Sequence, residues 1–207
     1  MKMITAAAAL ATATSAPVWA GSIVEDWARA EAPKPVETQP VTVKAATTAL
    51  LILDMQNNSC NADRRPRCVD AIGPTEDFLA RARAAKMPVV YSNTSSATRD
   101  DIVAPLAPQD AEPGVKASVD KFYGTDLDKI LKDAGVDTVI VCGTTSFGAV
   151  LFTATEAALR GYKVVQPVDC MPGSSLYEEQ MTLWTIANGP GTRRAATVTT
   201  LGGITIE

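Results

Sequence analysis

The chain has 207 residues, 46% of them hydrophobic and 20% charged, which suits one ordinary globular domain with a substantial core. Its net charge of -4, without a basic patch interleaved with aromatics, argues against a nucleic-acid partner. Histidine is absent, which excludes a histidine base, a Ser-His-Asp triad and every His-containing zinc site. The four cysteines lack the paired close spacings of a thiolate zinc site. No cofactor and no metal are expected, and carboxylates alone remain the one route to a hard cation.

Lys2, the mild apolar stretch Ile4 to Ala13 and the small residues around Val18-Trp19-Ala20 read as an export signal over residues 1–20, cut before Gly21. The competing reading is an amphipathic or unordered tail. Export predicts a periplasmic or secreted protein. No other apolar run is long enough to cross a bilayer, so no membrane domain is expected. Residues 21–46 are predicted as a short helix (Ser22 to Ala32) and an extended arm (Pro33 to Val41), and residues 47–207 as one folded domain.

The apolar run Ala49 to Leu53, ending at Asp54, reads as a central parallel strand. Cys60 and Cys68 flank a polar, aperiodic loop, and in an oxidising compartment they could close it as a disulfide. A helix is expected over Thr75 to Ala85 and a strand over Pro88 to Ser92. A polar loop follows from Asn93 to Glu112, then a short strand at Gly114 to Lys116. A helix over Asp126 to Ala134 is capped by Thr125 and stopped by Gly135. A buried strand over Thr138 to Cys142 runs through a tight turn into a helix from Ser146 to Arg160, which Gly161 ends. Lys163 to Pro167, Ser174 to Asn188 and Ala195 to Thr199 complete the pattern as strand, helix and strand. Cys142 and Cys170 read as small apolar core residues. Strands alternating with helices predict an α/β, Rossmann-like three-layer sandwich: a mostly parallel sheet with helices on both faces.

In such sheets ligands bind beyond the carboxyl ends of the strands. Three candidates lie there: Asp54, Lys116 and the turn Gly143 to Ala149. A carboxylate ending an apolar strand is costly unless paired or functional, and on position alone Asp54 could be either.

The residues then resemble a family. Leu51-Ile52-Leu53-Asp54-Met55-Gln56 is similar to the opening motif of the isochorismatase-like cysteine hydrolases. Lys116, six residues before Phe122-Tyr123-Gly124-Thr125, resembles the family's lysine and the aromatic-Gly-Thr segment after it. Gly143 to Ala154 resembles the nucleophile turn and its helix, and Gly161 to Val165 with Val168-Asp169 the segments beyond. The resemblance runs from about Thr47 to the C-terminus and implies a six-stranded sheet and an Asp-Lys-Cys triad. Carried over, Asp54 is the proton acceptor, Lys116 stabilises developing charge and Ala149 occupies the position of the nucleophilic Cys. Lys121 has the wrong spacing to Phe122 and is expected to support the turn or face solvent. The resemblance also implies a cis peptide at Thr144-Thr145, which would aim the amides of Thr145 and Ala149 into the pocket as an oxyanion hole. Gln56, Asn93, Phe122, Thr144, Ser146 and Phe147 are candidate pocket residues.

A methyl group at 149 rules out a covalent route through that position, and no histidine is available to activate Ser146. The family's isochorismatases also lack the Cys and cleave a vinyl ether with the Asp as proton-transfer group. Two kinds of function therefore remain: hydrolysis of a small molecule by non-covalent acid/base chemistry through Asp54 and Lys116, or a catalytically inactive pocket kept for binding or interaction. The family implies a homo-oligomer, for which Tyr177, Met181 and Trp184 on the late helix are candidates, with core packing as the competing use.

Overall fold

The computed structural model describes residues 21–207; the predicted signal over 1–20 lies outside them. The described residues fall into two units, the first ending at Lys34 and the second spanning Pro35–Glu207. The described part of the first holds a single 3-10 turn, Trp27–Arg29, and not the helix expected from Ser22 to Ala32. Among the described residues its polar groups bond nearby: Ser22 to Glu25, and Arg29 to Asp26 at 2.7 Å. None of its described residues is buried, and so short a segment is marginal as a helix on propensity alone.

In the second unit the chain enters through a short strand β1 (Val41–Val43) and then β2 (Thr48–Leu53), β3 (Val89–Asn93), β4 (Gly114–Lys116), β5 (Thr138–Gly143), β6 (Lys163–Pro167), β7 (Ala196–Thr199) and β8 (Ile204–Ile206). The helices between them are α1 (Pro66–Ala84), α2 (Leu127–Asp133), α3 (Leu151–Leu159) and α4 (Leu176–Asn188). A six-stranded, wholly parallel sheet runs in the order β4-β3-β2-β5-β6-β7. The two central strands, β2 and β5, are buried along their whole length, as expected of strands covered on both faces. One core joins Leu50, Ile52, Val89 and Ile140 to Phe78, Leu79 and Ala82 of α1. The other joins Leu51, Leu53, Val139 and Val141 to α2, α3 and α4. Alternate residues of one strand thus feed opposite faces of the sheet, giving three layers.

Helix α1 begins nine residues before its predicted start, at Pro66. Pro74 lies inside the helix, yet Cys68, Ala71, Thr75, Phe78, Leu79 and Ala82 form one continuous buried stripe. Packing of that stripe outweighs the single amide missing at Pro74. The Cys60–Cys68 disulfide is formed and ties the preceding loop to the first turn of α1. Cys142 and Cys170, read as free core residues, are bonded to each other; the ends of β5 and β6 bring them together, with Cα atoms 5.0 Å apart. The strands β1 and β8 were not foreseen. They pair parallel as a separate ribbon over the α1 face, and at three residues each they carry too little alternation to be read.

Candidate active site

The sheet topology dictates where a site can form. From β2 the chain steps outward to β3 and β4; it then returns to β5 and steps the other way to β6 and β7. The winding reverses between β2 and β5, and a crevice opens beyond the carboxyl ends of two such strands. Leu53 pairs with Gly143 at this point, so Asp54 and the turn from Thr144 leave the sheet side by side.

Two backbone features fit the chains together there. Gly143 has φ +149, and a Cβ on it would stand 2.3 Å from the Leu53 carbonyl oxygen, so only glycine fits. Asp54 has φ 52, a left-handed conformation that costs a non-glycine residue about 1 kcal/mol or more and persists only where the surroundings enforce it. Its amide donates to Ser92 O at 3.2 Å.

The Asp54 side chain is buried and doubly held. Ser92 Oγ donates to Oδ1 at 2.8 Å, and Lys121 Nζ donates to Oδ2 at 2.6 Å. Lys121 is completely buried, and its ammonium also donates to Ser118 O at 2.8 Å and Ala117 O at 3.3 Å. All three of its N–H groups are thus used within the protein. Burial pushes the Asp54 carboxyl above the usual carboxylate range, against the opposing pull of Lys121, Ser92 and Arg65.

The lysine beside Asp54 is therefore Lys121, and the placement of Lys116 is corrected. Lys116 closes the edge strand β4, where Val115 points inward and its two neighbours outward, and its charge is felt at Asp101. The chain after β4 doubles back, and Lys121 reaches under it to the end of β2. Its buried position is fixed further by its amide, which donates to Thr153 Oγ1 at 3.2 Å, and its carbonyl, which accepts from Thr125 Oγ1.

Across the crevice the Thr144-Thr145 peptide is cis. The following residues, Ser146–Val150, wind as a π-helix rather than opening directly as an α-helix, with Val150 N donating to Thr145 O at 3.2 Å. Thr145, Gly148 and Ala149 consequently share one face, which lines a cleft of about 280 Å³ together with Asp54, Gln56 and Thr144. The Thr145 amide donates to no other group among the described residues. Ala149 contributes a methyl group.

Four of the candidate pocket residues lie elsewhere. Asn93 follows Ser92 on β3 and so points to the opposite side, where its amide donates to Thr98 O at 2.7 Å. Phe122 is a core residue packed on Tyr162, with Arg160 over its ring. The π-helical winding turns Ser146 inward against Gly173 and leaves Phe147 half-exposed. Sequence reasoning missed Ser92, which the register places beside Leu53, and the polar rim formed by Asn58, Ser59, Arg64 and Arg65. A larger concavity of about 520 Å³ between β3 and α2 is lined mainly by apolar groups, and its acids Glu112 and Asp133 are paired with Arg83 and Lys129, so no reactive groups converge there. Among the described residues no three His, Cys, Asp or Glu side chains converge as a metal set.

An isochorismatase domain model matches residues 48–201, most of the described chain. The chain belongs to the isochorismatase family. It is 36% identical over 139 residues to a streptothricin hydrolase of Streptomyces noursei, an alignment covering 58% of this chain and 52% of that protein. The chain thus spans about half the length of that relative. A cysteine hydrolase from Pseudomonas syringae pv. phaseolicola 1448A superposes with a TM-score of 0.69 at 27% identity, covering 82% of this chain and 94% of the other. An N-carbamoylsarcosine amidase from Thermoplasma acidophilum superposes with a TM-score of 0.64 at 25% identity, covering 75% and 96%. Family membership and superposition agree on the α/β fold.

Proposed function

We propose that the protein hydrolyses a small molecule by non-covalent acid/base chemistry centred on Asp54. The observation that carries this reading is the Asp54 carboxyl itself: buried, held by Lys121 and Ser92, and opening on a cleft whose far wall presents the Thr145 amide without an acceptor. Ala149 stands at the family's nucleophile position, and its methyl leaves space where the attacking thiol would be. Water then takes that role. Asp54 accepts a proton from the water as its oxygen bonds to the substrate's carbonyl carbon, and the Thr145 and Ala149 amides bind the resulting oxyanion. The intermediate collapses by breaking the bond to the leaving group, which takes the proton back from Asp54. A carboxyl raised by burial suits a group that must accept and then return a proton. With its three donors engaged, Lys121 acts on Asp54 and not on the substrate; it is a positioning residue.

The relatives suggest the bond. One is named a streptothricin hydrolase and another an N-carbamoylsarcosine amidase, so small amides and carbamoyl compounds are the substrates to screen. In the test, turnover found in that screen is lost in Asp54→Asn, and 18O from labelled water enters the product without a covalent adduct on the protein. Turnover that survives Asp54→Asn overturns the assignment. If the methyl at 149 instead marks a retired catalyst, the cleft binds its ligand, raising the melting temperature without product.

Two further properties belong to this reading. The protein is exported to an oxidising compartment, supported by both disulfides among the described residues. It assembles as a homo-oligomer through α4, supported by Tyr177 and Trp184, which are 64% and 44% exposed on the single chain.

A further inference from the structure

The polar rim of the cleft has its own chemistry. Arg64 and Arg65 lie on the loop closed by the Cys60–Cys68 disulfide. Among the described residues the one acid lining the cleft is Asp54, already paired with Lys121, so the cleft carries an excess of positive charge. The loop is held rather than loose: Arg65 N donates to Asn61 O at 2.8 Å, Arg64 N to Asn61 Oδ1 at 2.9 Å, and Arg64 Nη1 to Asn58 O at 3.1 Å.

Two buried donors here have no acceptor among the described residues. Arg65 Nη1 reaches Ser59 O at 3.3 Å, but its Nε is buried and unpartnered. Gln56 is wholly buried; its Oε1 accepts from Thr94 Oγ1 at 3.1 Å, while its Nε2 is unpartnered. A buried donor left unmade costs about 1–3 kcal/mol. Burial and the neighbouring Arg64 both press the Arg65 guanidinium downward, with Glu178 and Asp54 only partly opposing them, so an arriving anion is favoured. Glu178 does not occupy the position, since its carboxylate accepts from Ser174 N at 2.7 Å.

Resting on the reading of Asp54 as the acid/base group, we propose that the substrate is a small acyl compound bearing a carboxylate, and that Arg65 with Gln56 is the point where that carboxylate docks. The Nε–Nη2 edge of a guanidinium presents two parallel donors matched to the two oxygens of a carboxylate, a fit that a lysine does not reproduce. Gln56 Nε2 supplies a further donor from the same wall. The disulfide fixes the edge in advance, so little ordering is required on binding.

The test compares N-acetylglycine with its neutral amide, N-acetylglycinamide, by calorimetric and NMR titration of the full, oxidised protein. The carboxylate is expected to bind at least about tenfold more tightly than the amide. Arg65→Leu and Arg65→Gln should each abolish that preference, and Arg65→Lys should restore only part of it, with folding of each variant checked by its thermal melt. The same titration in Asp54→Asn should keep the preference, which separates this inference from the catalytic one: carboxylate selectivity can stand where hydrolysis fails, and the reverse. Equal affinity for the two probes, no saturable binding of either, or a preference retained in both Arg65→Leu and Arg65→Gln overturns the proposal.

Discussion

Asp54 shows how far a single residue can be read. An ionisable group ending an apolar strand demands an explanation, and in the structure it has one: two charge-assisted or hydroxyl hydrogen bonds, a left-handed backbone and an opening to the cleft. Its lysine was not legible. Resemblance in spacing favoured Lys116, whereas the partner is chosen by the path of the chain after β4, which sequence distance does not encode. The pair yields two expectations. Lys116→Ala should leave turnover unchanged and Lys121→Ala should abolish it, because removing one partner of a buried pair costs about 3 kcal/mol and frees the other. The pH dependence has a definite sign. In the proposed role Asp54 acts as a base when ionised, and burial raises its pKa, so the acid limb of kcat/KM is expected above the ordinary aspartate range. Lys121 opposes that rise; in Lys121→Met, any residual activity should show the acid limb displaced to higher pH. A limb that stays in place would mean that Asp54 is not the titrating group.

At the scale of elements, long apolar runs and glycine stops were readable, as α2 ending at Gly135 shows with its φ of +70. The start of α1 and the π-helical turn were not, for one physical reason: each is decided by packing against a neighbour rather than by local preference. That turn explains why Thr145 and Ala149 face the cleft while Ser146 and Phe147 do not. The close approach of β5 to β2 gives a sharp expectation. Gly143→Ala would drive a methyl group into Leu53 at a φ that side chains avoid, and it should destabilise the protein by about 3 kcal/mol or more in chemical denaturation. The loop between Cys60 and Cys68 is stabilised differently, through the unfolded state. Replacing both cysteines by serine should cost about 2–3 kcal/mol in the same measurement, as expected for so short a closed loop.

The whole molecule was the most legible scale. Alternating apolar strands and amphipathic helices imply a parallel sheet almost regardless of detail, and that sheet places its crevice where the winding reverses. Quaternary structure is less accessible, because exposure of an aromatic depends on what the fold leaves uncovered. Tyr177 and Trp184 could have packed in the core and do not. If α4 joins two copies, Trp184→Glu should lower the sedimenting mass to that of one chain while leaving the fold intact by circular dichroism. An unchanged sedimentation coefficient would place any interface elsewhere.

The small ribbon of β1 and β8 has a mechanical meaning. The strands run parallel, with Val41 opposite Ile204 and Val43 opposite Ile206, and Ala45 and Glu207 extend the pairing by further backbone bonds. A force applied between the segment leading into β1 and Glu207 after β8 runs along the strands, so the cross-links are loaded together rather than one after another. Such a clasp yields by sliding, not by unzipping. The clasp sits on the α1 face, and the segment leading into β1 is tied to the sheet as well, because Gln39 N donates to Val198 O of β7 at 2.8 Å; tension on that segment is therefore shared between the clasp and the edge strand of the sheet that carries the cleft.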